Sequence, residues 1–185
     1  MTANTASSIV RTVPALSIEQ CERARLTVHE LEPLWDEERH RLGPGISYYK
    51  PQHFYYASAR QFNPIMLKHF GWLYDELIAV LARELGAPVK FRDDLALPGF
   101  NIYLGAIEFS RISYNVHVDL QYNDLSWEPA GSADFNKLLS FTLPVALPEE
   151  GGGLNVWACR RDDMHGEPNP LARKELSSDR ALYHP

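Results

Sequence analysis

The stretch SYNVHVDLQY, residues 113–122, decides how the rest of the sequence is interpreted. Polar and apolar side chains alternate along it, the period-two pattern of a strand with one covered face. On such a strand His117, Asp119 and Gln121 point to one side, and the apolar residues between them point to the other. An imidazole and a carboxylate two residues apart can bind one cation, as in the 2-His-1-carboxylate triad of non-haem iron(II). The spacing suits a metal site, and a surface strand whose His117 and Asp119 face water is the alternative that the spacing alone leaves open.

The sequence before this stretch predicts helices. Ser17 and Gln20 have the spacing of a capping box, so we expect a helix from Ile18 to Leu31. A second helix is expected from Pro64 to Leu85, with Asn63 as its cap and Gly86 as its stop. Its apolar residues recur at steps of three and four and predict one buried stripe: Ile65, Phe70, Leu73, Leu77, Ile78, Leu81 and Leu85.

The remaining segments predict strands and loops. Residues 46–59 are rich in aromatic side chains but contain Pro51, which predicts a short strand followed by an irregular segment. From residue 90 onwards glycine and proline punctuate short alternating runs, typical of β structure. The strands expected there cover residues 99–105, 112–121, 138–145 and 153–159, with a loop at 160–170 and a helical turn at 171–176.

Four successive pieces of sequence resemble one enzyme family. They are Gly99 to Gly105, His117 to Tyr122, Leu139 to Trp157 and Arg180 to Pro185. In this order they resemble the Fe(II)- and 2-oxoglutarate-dependent dioxygenase superfamily, the His-x-Asp…His type. The resemblance implies an α+β fold with a mainly β core, a cupin-like or jelly-roll double-stranded β-helix braced by N-terminal helices. It also implies the iron-ligand roles of His117 and Asp119.

The resemblance sets the expected domain organisation. We expect a flexible leader at residues 1–13 and a single dioxygenase-like domain at 14–185. Within that domain the helical part covers 14–88, and the β-helix core covers 89–185 and is incomplete at its C-terminal end. A length of 185 residues suits one domain.

The third iron ligand is expected outside the sequence given. In the family a distal histidine follows a turn like Tyr183-His184-Pro185, and a basic residue that pairs with 2-oxoglutarate follows later. The chain ends before both, so we expect the C-terminal strands to be missing and the third ligand to lie beyond residue 185. His184 and His165 are the weaker candidates for that ligand within the chain.

Four further side chains are candidates for binding cosubstrate or substrate. Asn101 and Tyr103 share a face of the strand expected at 99–105, and the Tyr103 hydroxyl is placed to bind a cosubstrate carboxylate. A buried tyrosine with a structural partner is the alternative for Tyr103. Gln121 is either an orienting residue or a hydrated rim residue. Trp157 completes the set, although alternation alone leaves open which way it faces.

Composition excludes several classes of protein. The net charge is −6 and the longest basic run is Arg160-Arg161, so nucleic acid is not expected as a partner. No stretch has the roughly 20 apolar residues that a bilayer crossing needs. Cys21 and Cys159 predict reduced thiols and a cytoplasmic location.

The resemblance implies an oxidoreductase that uses Fe(II) and 2-oxoglutarate to oxidise a small molecule or an amino-acid side chain. Its expected partners are a small-molecule substrate and either a second copy of the chain or the missing C-terminal segment. Two alternatives stay open: a non-catalytic or degenerate β-helix that serves as a binding module, and a metal-dependent cupin with a relocated third ligand.

Overall fold

Two helices carry most of the regular structure. The computed structural model describes residues 10–36, 40–45, 51–103, 125–126, 138–148, 154–155 and 183–184. These residues belong to two compact units. The larger unit contains the described residues between 15 and 146, and the smaller contains residues 10–14, 147–148, 154–155 and 183–184.

The first helix, α1, covers Ile18–Glu30 and confirms the predicted capping box. The Ser17 hydroxyl accepts a hydrogen bond from the Gln20 N–H at 3.2 Å, and the Gln20 side chain accepts one from the Ser17 N–H at 2.8 Å. Together these bonds satisfy N–H groups that have no partner inside the helix. A short 3₁₀ helix, Glu32–Leu34, follows.

The second helix, α2, covers Gln52–Leu85 and is longer than predicted. The prediction of a strand and an irregular segment at 46–59 is wrong for residues 52–59, and residues 46–50 lie outside the described ranges. Ala59, Phe62 and Met66 continue the apolar stripe towards the N-terminus at helical spacing, so burial outweighs the strand preference of the neighbouring aromatic residues. Gly86 ends the helix as predicted, in the left-handed conformation at φ 62°.

Asn63 and Pro64 lie inside α2 and do not begin it. Proline suits a helix start because it lacks an N–H, but an interior position is tolerated when packing on both sides maintains the helix. Asn63 makes its side-chain bonds to a neighbouring loop and is not a cap.

Two short strands pack beside α2. β1 covers Arg41–Leu42 and β2 covers Phe100–Asn101, and they pair antiparallel with Arg41 opposite Asn101 and Leu42 opposite Phe100. The Phe100 ring lies 4.6 Å from the Phe70 ring of α2, so the ribbon covers the apolar stripe of the helix.

The core lies between α1, α2 and this ribbon. Its buried residues come from all three elements and from the loop before β2: Val28, Leu42, Met66, Phe70, Leu73, Tyr74, Leu77 and Leu97. The α1 and α2 helices also meet at the edge of the core, where the Arg23 guanidinium lies 4.3 Å from the centre of the Trp72 ring.

In the smaller unit, β3 covers Leu154–Asn155 and β4 covers Tyr183–His184. These strands pair antiparallel, with Leu154 opposite His184 and Asn155 opposite Tyr183. The turn expected at Tyr183-His184-Pro185 is therefore wrong for its first two residues, because their backbone forms a ladder with β3.

The prediction of a mainly β, double-stranded β-helix core is also wrong. The described residues are mainly helical, and each of their two sheets has two strands of two residues. Of the strand predicted at 99–105, Phe100–Asn101 are in a strand, the other described residues are not, and residues 104–105 lie outside the described ranges. Residues 138–145 form no strand, and of the strand predicted at 153–159 the described residues 154–155 form β3. Alternation shows only which side chains share a face, whereas a strand also needs a neighbour that takes its N–H and C=O groups.

Some predictions are not tested. The strand at 112–121, the loop at 160–170 and the helical turn at 171–176 lie outside the described residues. The single domain and the leader also stay predictions. No helix in the described ranges combines the length and the apolar character that a bilayer crossing needs.

Candidate functional site

A loop anchored to α2 sets the position of β2. The Asn63 side chain donates a hydrogen bond to the Leu95 carbonyl at 2.8 Å and accepts one from the Leu97 N–H at 2.9 Å. The Tyr74 hydroxyl donates to the Pro98 carbonyl at 2.7 Å. These contacts hold the residues that lead directly into β2.

Two of the predicted binding residues lie in β2 and just after it, and both are exposed. Phe100 and Ile102 pack against the core, whereas Asn101 and Tyr103 are exposed. Burial thus alternates from Phe100 to Tyr103 as the prediction requires, and the binding roles of Asn101 and Tyr103 stay predictions. The alternative of a buried Tyr103 is wrong, because 59% of this residue is exposed.

Asn101 is held by Arg41 of the neighbouring strand. Nη1 of Arg41 donates to Oδ1 of Asn101 at 3.2 Å. This bond fixes the orientation of the amide, because the oxygen faces the guanidinium. Within the described part of the chain, no acceptor takes the hydrogens of the Asn101 Nδ2 group.

Two consecutive tyrosines in the first turn of α2 lie in the same region. The Tyr55 hydroxyl accepts from the Ala96 N–H at 3.0 Å, and the Tyr56 hydroxyl accepts from the Ser126 N–H at 2.8 Å. Their rings meet edge to face at 5.4 Å. Among the described residues no acceptor takes either hydroxyl hydrogen, so both phenols remain donors.

Burial keeps the Tyr55 phenol protonated. Loss of solvent raises the pKa of Tyr55 above its usual value, and the opposing effects of the Ala96 N–H and the Arg41 charge are smaller. The Arg41 guanidinium and the Asp94 carboxylate are both close enough to affect this hydroxyl electrostatically.

A second arginine lies near the tyrosines and is paired with a carboxylate. Arg92 donates two hydrogen bonds to Asp94, at 2.8 Å from Nε and 2.6 Å from Nη2. This fork geometry uses both carboxylate oxygens and lowers the pKa of Asp94. We call Arg41, Tyr55, Tyr56, Arg92, Asp94 and Asn101 the donor cluster.

Among the described residues, no contact joins the other predicted site residues to the donor cluster. His117, Asp119, Gln121, Trp157 and His165 lie outside the described residues, and only the backbone of His184 is described. Within the described ranges, no three His, Cys, Asp or Glu side chains come close enough to hold a metal ion. The metal ligand set therefore stays a prediction.

Five residues of the donor cluster were not predicted from the sequence: Arg41, Tyr55, Tyr56, Arg92 and Asp94. The two tyrosines belong to an aromatic run that indicates core packing, and Arg41 and Arg92 have no motif around them. The pairing of Arg41 with Asn101, 60 positions apart, depends on the β1–β2 register, which no local pattern indicates.

Comparisons of the chain with protein-family models, with curated proteins and with solved structures gave no match.

Proposed function

We propose that this protein is an Fe(II)- and 2-oxoglutarate-dependent oxygenase that acts on a small molecule or an amino-acid side chain. The observation that carries the proposal is the His117-Val118-Asp119 sequence in an alternating segment. Imidazole nitrogen and carboxylate oxygen are the donors of the iron(II) facial triad, which leaves coordination positions open for other ligands. The proposal depends on this ligand chemistry and does not use a β-helix fold.

The proposed roles divide between ligands and positioning groups. His117 and Asp119 would hold the metal, and His184 or His165 would be the third ligand if it lies within the chain. When bound, iron with 2-oxoglutarate and O₂ supplies the oxidation of a C–H bond, with succinate and CO₂ as the other products. The protein contributes binding, orientation and exclusion of water.

Asn101 and Tyr103 support the cosubstrate part of the proposal. Both residues are exposed, and Asn101 is oriented by a guanidinium. Amide and phenol donors of this kind bind carboxylate oxygens, and 2-oxoglutarate has two carboxylates. We propose a cytoplasmic location, which suits the reduced thiols expected of Cys21 and Cys159.

The test is consumption of 2-oxoglutarate by the purified chain with Fe(II) and O₂, measured as succinate formed. We expect His117→Ala and Asp119→Asn to abolish succinate formation and to weaken Fe(II) binding by at least 10–100-fold, the effect of removing groups that merely support a ligand. His69→Gln, on α2, is the matched histidine control and should leave both unchanged.

Two outcomes decide against the proposal. Fe(II) binding that is equal in the wild type, His117→Ala and Asp119→Asn rules out this ligand pair. Fe(II) binding that needs both residues, without any loss of 2-oxoglutarate, replaces the oxygenase with another metal-dependent activity. If activity is found, His184→Ala and His165→Ala identify the third ligand.

A further inference from the structure

We propose that residues 52–63 of α2 form a hinged segment, which detaches from the core as one unit and turns about Pro64. The structure described above is the closed state. In the open state the helix begins at Pro64, and the rest of the core is kept. This inference depends on described residues alone and is independent of the proposed oxygenase chemistry.

The first argument concerns the hydrogen bonds inside α2. Pro64 lies in the interior of the helix and has no N–H, so the Arg60 carbonyl cannot accept the usual bond from the residue four positions later. The proline ring also crowds that carbonyl, and an interior proline is a common position for a kink in a long helix. The backbone of α2 is therefore weakened where the hinged segment joins the rest of the helix.

The second argument concerns the helix that remains in the open state. Asn63-Pro64 is a helix start signal, because asparagine is favoured at the N-cap and proline at the first helical position. In the closed state the Asn63 side chain bonds instead to Leu95 and Leu97. Once these bonds break, the Asn63 side chain can cap a helix that begins at Pro64, which offsets part of the cost of opening.

The third argument concerns burial on the two sides of Pro64, where every residue of α2 is described. Within the hinged segment Ala59 is buried and Phe62 packs partly buried against the core. The helix after Pro64 contributes six buried residues: Met66, Phe70, Leu73, Tyr74, Leu77 and Val80. Because the hinged segment covers much less apolar surface, opening costs less free energy there than in the rest of α2.

The fourth argument concerns the contacts that hold the segment closed. The Tyr55 hydroxyl accepts a hydrogen bond from the Ala96 N–H at 3.0 Å, and the Tyr56 hydroxyl accepts one from the Ser126 N–H at 2.8 Å. We call these two bonds the tethers. Each joins neutral groups, and its net contribution is small because water replaces the partner when the bond opens. The tethers therefore orient the segment without fixing it permanently.

Native-state amide exchange of the full chain, measured by NMR, tests the proposal. A hinged segment opens in one step, so amides 56–63 should share one protection factor, at least about tenfold lower than those of amides 70–80. Fraying from the helix end would instead give protection that rises steadily from residue 56 to residue 63, without a step at Pro64.

A pair of proline variants tests the hinge. Pro64→Ala supplies the missing N–H and favours a continuous helix, so the protection of amides 56–63 should rise by about tenfold relative to that of amides 70–80. Pro88→Ala, at an exposed position after the end of α2, is the matched control and should leave this ratio unchanged.

A pair of tyrosine variants tests the tethers. Tyr55→Phe removes the acceptor for the Ala96 N–H, so the protection of amides 56–63 should fall by about three- to tenfold, whereas that of amides 70–80 should change less. Tyr74→Phe removes a bond to the same loop from the other side of Pro64, at Pro98, and should not lower the ratio between the two groups of amides.

Three outcomes would overturn the proposal: equal protection on the two sides of Pro64, a steady rise from residue 56 to residue 63, or a Pro64→Ala variant whose step at this position is as large as in the wild type. An equal fall in both groups of amides in Tyr55→Phe would also overturn it. If Tyr55→Phe does not fold, the wild type and Pro64→Ala still decide the question.

Discussion

Asn63 and Leu97 are joined by a side-chain to main-chain hydrogen bond, in which Oδ1 of Asn63 accepts from the Leu97 N–H at 2.9 Å. Nδ2 of the same amide donates to the Leu95 carbonyl at 2.8 Å. The Asn63 side chain thus pairs with the Leu95 carbonyl and the Leu97 N–H of a partly buried loop. This loop is not part of a strand. The position of β2, and with it Asn101, depends on this amide.

Replacing Asn63 by Ala should destabilise the fold by about 1–3 kcal/mol, the cost of leaving buried backbone groups without hydrogen bonds. Gln61→Ala, an exposed position on the same helix, is the control and should change the free energy of unfolding by less than about 0.5 kcal/mol. Urea unfolding followed by tryptophan fluorescence measures both. Equal effects of the two substitutions would contradict the anchoring role of Asn63.

The close approach of β1 and β2 requires glycine at position 99. A Cβ atom on Gly99 would lie far inside van der Waals contact with the Leu42 carbonyl oxygen, which belongs to the backbone and not to a flexible side chain. Gly99→Ala should therefore destabilise the fold by about 3 kcal/mol, at the upper end of overpacking effects.

Gly71 provides the matched control for Gly99. It lies inside α2, and a Cβ atom there would meet nothing within 4 Å. Gly71→Ala should stabilise the protein by about 0.5–1 kcal/mol, because alanine loses less backbone freedom in a helix. Thermal melting of the two variants should move in opposite directions, and a shift of the same sign in both would refute the steric argument.

The start of α1 gives a third prediction. Ser17→Ala removes the acceptor for the Gln20 N–H and should lower the free energy of unfolding by about 1 kcal/mol. Arg25→Gln removes the exposed contact with Glu22 on the same helix and should have no measurable effect. Far-UV circular dichroism during urea unfolding gives the free energy of unfolding of both variants. A larger decrease in Arg25→Gln than in Ser17→Ala would show that the cap is unimportant.

The sequence predicted those parts of the fold that depend on local chemistry. The capping box at Ser17, the left-handed stop at Gly86 and the burial of Phe70, Leu73 and Leu77 each follow from side chains a few positions apart. The predicted stripe is wrong at Leu85, which is exposed at the end of the helix. The shared face of Asn101 and Tyr103 follows from strand alternation. Such features require no knowledge of distant contacts.

The features that the sequence did not predict depend on distant partners. In the part of α2 that was not predicted, Ala59 is buried and Phe62 packs against the core. Asn63 bonds to a loop more than 30 positions away. Arg41 meets Asn101 through strand pairing, so no local pattern indicates this contact. The β-helix prediction was wrong because alternation does not supply strand neighbours.

The last prediction concerns pH and the hydroxyl of Tyr74. This residue is 2% exposed and its hydroxyl donates to the Pro98 carbonyl at 2.7 Å, a bond that a phenolate cannot make. Burial raises the pKa of Tyr74 well above its usual value of 10.0. In the unfolded chain the phenol has its usual pKa and loses its proton about there.

Above about pH 10 the unfolded state therefore binds fewer protons than the folded state, and stability should fall as pH rises. The stabilisation that the Tyr74 phenol provides is fully present below its pKa in the unfolded chain. Above that pKa, this one group lowers the free energy of unfolding by about 1.4 kcal/mol for each pH unit. Tyr74→Phe removes that slope together with the hydrogen bond to Pro98. Other titrating groups contribute equally to both proteins.

Urea unfolding between about pH 8 and pH 11 should therefore give two curves that run parallel below pH 9 and converge above pH 10. The wild type should be the more stable protein at neutral pH, because Tyr74→Phe leaves the Pro98 carbonyl without its donor. The difference should shrink as the unfolded wild type releases the Tyr74 proton. Curves that stay parallel over the whole range would mean that Tyr74 ionises as readily in the folded protein as in the unfolded chain.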